Sequence, residues 1–268
     1  MNTTKIAVIG GGNLGRSIIS GLILSKKINN NNLTVADIHL KPLEAFKKAG
    51  VSVMSDNRKA VVNADIIIVA VKPNDIKNVL TEIKSSLNIK KHIISSTAAG
   101  VSIDDIQQVV GTKISCFRVM PNTAMSVKQS MTCIASNNAS DKQKELMVSI
   151  FNELGQAIVV NENLISAATI LGASGIAFAL NYIKAAMQAG VEMGFEHDVA
   201  QKIVEQTVKG AAELLIANGN HPAKEIDKVT TPGGVTITGL NEMENKGFSA
   251  SVVQGILKAY NKTAKLTK

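Results

Sequence analysis

The stretch KIAVIGGGNLGRSI, residues 5–18, says more about architecture than any other part of this chain. Ile6 to Ile9 form an apolar run that suits a strand buried on both faces. Gly10, Gly12 and Gly15 follow in G-x-G-x-x-G register, with Asn13 and Leu14 opening a helical segment. A strand running through this loop into a helix is the context a dinucleotide site requires. Gly10 permits the tight turn, Gly12 lets a pyrophosphate approach the backbone, and Gly15 lets helix pack on strand. The helix start then offers free N–H groups and partial positive charge to the phosphates.

Working outward, apolar runs recur at 33–38, 64–71, 92–97 and 114–120, with helical patterns near 14–27, 41–49, 74–85 and 102–109. Such alternation predicts a doubly wound, mostly parallel sheet covered on both faces, a Rossmann-like α/β fold. Segments 131–136, 140–153 and 156–160 extend the same layer. Asp37 stands about twenty residues beyond the loop, where a carboxylate hydrogen-bonds the adenosine ribose and favours NAD over NADP. The same residue would also suit an N-cap of the next helix, and His39 could accommodate a phosphate. The preference between NADH and NADPH stays open at this level. Ala70, Val71, Lys72 and Pro73 close another strand on the ligand side of the sheet, and the small residues of SSTAAGV (95–101) close the next.

From about residue 161 the pattern turns helical: 163–195, 197–219 and 248–265. The expected domains are therefore 1–161, dinucleotide-binding, and 162–268, helical. The glycines of LGASGIAF (171–178) sit inside a helical pattern, where each costs about 1 kcal/mol against Ala; either close helix packing or an approaching ligand would explain them. These helices are apolar nearly all round and have little else in the chain to pack on, which predicts a homodimer formed by this half.

Composition narrows the rest. The chain has 268 residues, 45% hydrophobic, with a net charge of +8. Its lysines are scattered, Trp is absent and aromatics are 3%, so nucleic-acid binding is not expected. No run of about 18 apolar residues predicts a membrane span, and the N-terminus lacks signal-peptide features. Two cysteines, Cys116 and Cys133, make no disulfide framework or metal spacing. A cytoplasmic location fits. The four histidines form no cluster and no G-x-S-x-G elbow exists, so a nicotinamide would carry the hard chemistry.

TTPGGVTITGL (230–240) is the other unusual stretch. A Pro-Gly-Gly turn leading into a helix near 236 exposes backbone N–H groups suited to a carboxylate. Thr231 and Thr236 could cap that helix or serve a ligand.

The segment HPAKEIDKVTTPGGVTITGLNEMENKGF, together with GGGNLG, AVKP, AAGV and RVMPNT (118–123), closely resembles the pyrroline-5-carboxylate reductase family, in order and across essentially the whole chain. The resemblance implies hydride transfer from NADPH or NADH to the C5=N bond of 1-pyrroline-5-carboxylate, giving L-proline. It implies helical domains interlocked as dimers, often assembled further. It puts Glu162, Thr231, Gly233, Gly234, Val235 and Thr236 at the substrate, with Thr236 the candidate proton donor. It puts Asn57, residues 70–73 and Thr97, Ala98 and Ala99 at the cofactor. Glu162 equally suits a carboxylate at a helix start.

Four positions depart from the family pattern: Ile176, Phe178, Ala124 and Thr231. Gly175-Ile176-Ala177-Phe178 replaces the usual Gly-Pro-Ala-Tyr, Ala124 replaces a Pro, and Thr231 replaces a Ser. A 3-hydroxyacid dehydrogenase would share the first half but use a helical lysine followed four residues later by Asn. Here Asn181 precedes Lys184. A dinucleotide-sensing protein without activity would not need an intact 231–236 loop.

Overall fold

The computed structural model describes residues 3–266. Eight strands form one sheet: β1 (Ile6–Ile9), β2 (Leu33–Ala36), β3 (Ser52–Met54), β4 (Ile66–Val69), β5 (Ile93–Ser96), β6 (Ser115–Met120), β7 (Ser130–Asn137) and β8 (Gly155–Val159). Their order is β3-β2-β1-β4-β5-β6-β7-β8. The first six are parallel, in the 3-2-1-4-5-6 order of a dinucleotide fold. β7 runs antiparallel to β6, and β8 runs parallel to β7. The reversal has a simple cause: only one 3-10 turn (Thr123–Val127) joins β6 to β7, too short for a parallel crossover.

The helices of this part are α1 (Asn13–Ser25), α2 (Glu44–Lys48), α3 (Asn57–Val62), α4 (Ile76–Ile83), α5 (Ile103–Val110), α6 (Asp141–Asn152) and α7 (Ile165–Ala168). Alternate strand residues divide between two cores. Ile6 and Val8 pack with Ile18 and Leu22 of α1 and Phe151 of α6. Ala7 and Ile9 pack with Val61 of α3, Leu80 of α4 and Ile106 of α5. A third cluster sets Ile165 of α7 against Met120, Cys133 and Ala135. The doubly wound sheet expected from the apolar runs is thus present. β3 and α3 were not anticipated, because Ser52–Met54 is short and partly exposed.

The remaining helices are α8 (Gly175–Glu192), α9 (His197–Asn218), α10 (Pro222–Lys228), α11 (Val235–Asn245) and α12 (Phe248–Leu266). By compactness the chain divides into Met1–Ser174 with Ala259–Lys268, and Gly175–Lys258. In the second unit α8 and α9 approach closely at Gly190, where a Cβ would lie 3.0 Å from that of Ala200. Tyr182 meets Phe248 edge to face, with centroids 6.4 Å apart. α9 ends on Gly219 in the left-handed conformation.

The long helix expected over 163–195 is broken. Residues Thr169–Ser174 form a π-helical segment between α7 and α8. Asn122 Nδ2 donates to the Gly172 carbonyl there at 3.0 Å, supplying a partner where the helical ladder widens. A Cβ on Gly172 would meet only the Met131 carbonyl oxygen, at 3.8 Å. Tight packing therefore does not account for that glycine.

The apolar character of the second half is concentrated in one helical stretch. Glu162–Glu192 is helical throughout and, by length and composition alone, long and apolar enough to cross a membrane. Counting uninterrupted apolar residues missed it, because Thr169, Asn181 and Lys184 break the run without offsetting its average hydropathy. Only 17% of an apolar 18-residue stretch within it is buried among the described residues. Leu180, Ile216 and Val253 are likewise more than half exposed, leaving apolar helix surface uncovered among the described residues.

Candidate active site

The glycine loop sits at the carboxyl end of β1. Gly10 adopts φ +106°, and a Cβ there would lie 2.7 Å from the Ala70 carbonyl oxygen. A Cβ on Gly15 would overlap the Gly10 carbonyl oxygen, so each glycine is required by close backbone approach. Gly12 differs: a Cβ there would meet nothing within 4 Å. It opens instead onto a cleft of about 530 Å³ lined by Gly10, Gly12, Asp37, Asn57, Ala70, Val71 and Lys72. Gly12 also caps α1 without any side chain, so the first N–H groups of α1 are not capped from the N-cap side chain. This is the arrangement that receives a pyrophosphate, and the residues fit a dinucleotide. Asn13 begins α1, its Oδ1 accepting from Arg16 Nη2 at 2.7 Å, while Leu14 packs on the core behind the loop.

Asp37 follows β2. Its Oδ2 accepts from Gly11 N–H at 2.6 Å and its Oδ1 from His39 N–H at 2.7 Å. The carboxylate is therefore no helix cap. It ties the glycine loop to the end of β2 while facing the cleft.

Asn57 opens α3, and its Nδ2 donates to Glu82 Oε2 at 2.9 Å. Glu82, Asn78, Val79 and Asp75 line the cleft as well, and motif reading missed all four. The available signal was their i, i+3, i+4, i+7 spacing from Asp75, which puts them on one side of the segment after AVKP.

Other expected cofactor residues lie nearby but outside this cleft. Pro73 lines an adjoining hollow of about 400 Å³ with Val101 and Asp105. Thr97 follows β5, its Oγ1 directed at the Val69 carbonyl oxygen of β4, with Ala98 buried and Ala99 half-buried.

Glu162 is firmly engaged. Its Oε1 accepts from Ile103 N–H at 2.7 Å, at the first residue of α5, and pairs with Arg118 Nη1 at 3.2 Å. It thus supports the start of α5, a different helix from the one it precedes in sequence. Arg118 is 4% exposed, and its Nε and Nη2 have no hydrogen-bond partner among the described residues. Nothing in the spacing of RVMPNT revealed this buried ion pair. On the same α5 start, Ser102 and Asp105 form a reciprocal capping box, and the Ser102 bonds hold the Asp105 carboxyl below its ordinary range. Cys116 and Cys133 are free and buried, and burial pushes the Cys116 thiol up to about 12, which makes it a poor nucleophile.

The second special stretch folds as the glycines suggested. Thr231 accepts from Gly234 N–H at 3.0 Å across the turn, Gly233 has φ +69°, and α11 begins at Val235. The N-cap is Gly234, with no side-chain cap, so neither Thr231 nor Thr236 caps the helix. Val235 is 90% exposed. Among the described residues the Thr231 and Thr236 hydroxyls make no hydrogen bond. The turn therefore presents uncapped N–H groups and two unspent hydroxyls.

Residues 5–100 match the family model described as NADP oxidoreductase, coenzyme F420-dependent. Residues 162–266 match that described as pyrroline-5-carboxylate reductase dimerisation. "Pyrroline-5-carboxylate reductase 2" of Dictyostelium discoideum is 36% identical over 98% of this chain and 93% of its own length. "Pyrroline-5-carboxylate reductase 1" of the same organism is 44% identical over 97% of this chain, which spans about half (49%) of that relative. The crystal structure of Plasmodium falciparum pyrroline carboxylate reductase with NADP bound superposes with TM-score 0.92, at 26% identity, over 100% of both chains. The fold and the glycine-loop cleft define a two-part nicotinamide-dinucleotide oxidoreductase. The α11 turn and the relatives narrow the class further. The chain belongs to the pyrroline-5-carboxylate reductase family, NAD(P)H-dependent enzymes acting on a C=N bond.

Proposed function

We infer that this chain reduces the C5=N bond of 1-pyrroline-5-carboxylate with NAD(P)H, giving L-proline. One observation carries the reading: the uncapped start of α11 behind Thr231, beside free hydroxyls, in a chain with a dinucleotide cleft. The substrate is a small anion with a basic imine. Backbone N–H groups from Val235 onward suit its carboxylate, since helix-start donors favour a negative charge. The Thr231 hydroxyl stands 2.5 Å from where a Gly234 Cβ would be, so glycine is needed to keep this corner narrow.

Bound reduced nicotinamide supplies hydride to the imine carbon. The imine nitrogen then gains a proton, and Thr236 is the residue we assign to that atom. A threonine hydroxyl is a weak acid, so it orients the nitrogen and relays a proton from solvent rather than acting as sole donor. Glu162 would act near the substrate through its carboxylate, although both of its described bonds brace the chain. Gly10, Gly12, Asp37, Asn57 and Lys72 would hold the cofactor. No metal-binding group of three or more His, Cys, Asp or Glu occurs among the described residues.

The reading extends to the assembly. Residues 162–268 serve as the substrate-binding and dimerisation half, and their exposed apolar faces cover one another in a homodimer. The membrane-length apolar segment is explained by that pairing. Sedimentation at micromolar concentration should find a dimer or larger; a clean monomer would remove this part. Buried free thiols suit a reducing cytoplasm.

The activity itself is tested by following reduced-nicotinamide absorbance with 1-pyrroline-5-carboxylate and, side by side, with a 3-hydroxyacid couple. Saturable consumption with the imine alone is expected. Turnover only with the 3-hydroxyacid couple would defeat the reading.

A further inference from the structure

We propose that this chain selects NADH over NADPH, with Asp37 as the specificity-determining residue and Glu82, acting through Asn57, as a positioning residue. The proposal rests on the dinucleotide reading of the cleft.

Asp37 is held from two sides. Gly11 N–H at 2.6 Å and His39 N–H at 2.7 Å each take one carboxylate oxygen. Both bonds are charge-assisted, and Gly11 belongs to the glycine loop itself. The carboxylate therefore cannot swing away from a ligand seated on that loop without breaking the loop's own brace. A Cβ on Gly11 would lie 3.1 Å from the Asp37 Cβ, which shows how closely the two are packed.

Glu82 adds a second fixed carboxylate to the same cleft. It takes the Asn57 Nδ2 donor at 2.9 Å, and its carbonyl accepts from Arg58 Nε at 3.0 Å. With its amide nitrogen turned to Glu82, Asn57 keeps an unbonded Oδ1, an acceptor. The cleft thus offers acceptors: two carboxylates and an amide oxygen.

A ribose with free 2′- and 3′-hydroxyls brings donors and matches that lining. A 2′-phosphate brings only acceptors when fully ionised, and two negative charges. Set against carboxylates in a partly desolvated cleft, it is opposed by charge repulsion and by lost hydrogen bonds. The cations near the cleft do not reverse this. Lys72 follows β4, with β1 between it and the end of β2, so its backbone lies roughly 10 Å from Asp37 by strand spacing. The backbone N–H of His39 is already committed to Asp37, and its side chain is exposed.

Calorimetric titration of the full-length protein with ADP-ribose and with its 2′-phosphate measures the preference without turnover. NADH and NADPH titrations and kcat/KM values with the imine form the second readout. Wild type should favour the unphosphorylated ligand by about tenfold or more, as expected for like charges in such a cleft. Asp37→Ser should narrow the ratio at least tenfold. Because that change also releases Gly11, Asp37→Asn is the control: its one amide oxygen can keep the Gly11 brace while the bond from His39 N–H is given up, it removes the charge, and it should narrow the ratio in the same direction. Glu82→Gln should narrow it in the same direction by a smaller factor. Equal binding of the two ligands by wild type overturns the proposal. So does a ratio that Asp37→Asn leaves unmoved, or a preference for the phosphate that His39→Ala abolishes. Failure to bind either ligand overturns the cleft assignment together with it, a result distinct from loss of imine reduction alone.

Discussion

Thr236→Ala should lower kcat/KM for imine reduction by about 100-fold, the lower end of what a positioned proton-transfer group contributes. That corresponds to about 2.7 kcal/mol of transition-state stabilisation. The expectation comes from what the hydroxyl does not do. It caps no helix and makes no hydrogen bond among the described residues, because Gly234 holds the N-cap of α11 and no side chain caps it. Removing it should leave the melting temperature nearly unchanged. If, as proposed, backbone N–H groups of the turn hold the carboxylate, it should still bind, so the loss should fall on kcat more than on KM. Thr236→Ser should restore most of the rate. Full kcat/KM in the alanine variant would show that the proton reaches the imine by another route.

The largest stability effect is expected at Glu162. Replacing it by Leu should cost about 3 kcal/mol, the low end for breaking a buried pair. The low end is appropriate because the Glu162 side chain is 34% exposed while Arg118 is 4% exposed. The variant strands Arg118, whose Nε and Nη2 already have no hydrogen-bond partner among the described residues, and removes the acceptor for Ile103 N–H. Glu162→Gln keeps an acceptor and should lose less. Pairing Glu162→Leu with Arg118→Met should recover part of the loss, since an apolar pair avoids the stranded charge. Chemical denaturation of the three variants decides it. A Glu162→Leu midpoint equal to wild type would mean that solvent reaches Arg118 and that the pair contributes nothing.

These two positions illustrate how differently residues can be read. The uncapped start of α11 was legible because a Pro-Gly-Gly corner before a helical pattern implies exposed N–H groups, whatever surrounds it, while the role proposed for Thr236 comes from the family resemblance. Glu162 was legible only as a carboxylate near a helix start. Its partners, Ile103 and Arg118, lie 59 and 44 residues away in sequence, and no local spacing connects them. The same holds in the cofactor cleft. Gly10, Gly12 and Gly15 are dictated by backbone approach within one strand-turn-helix unit. Glu82 enters the cleft only because α3 and α4 pack on the same face of the sheet, which brings Asn57 to it.

What the amino-acid sequence determined by itself is the class of architecture and the two chemical turns. Apolar runs buried on both faces can only be inner parallel strands, and glycines that must admit backbone or phosphate cannot be replaced. Tertiary structure alone decided the rest: the π-helical break at Thr169–Ser174, the brace from Asp37 to Gly11, and the buried Arg118–Glu162 pair. Each depends on contacts between segments distant in sequence. Local propensity and periodicity report on neighbouring residues, whereas buried charge and hydrogen-bond satisfaction are settled only when distant segments meet.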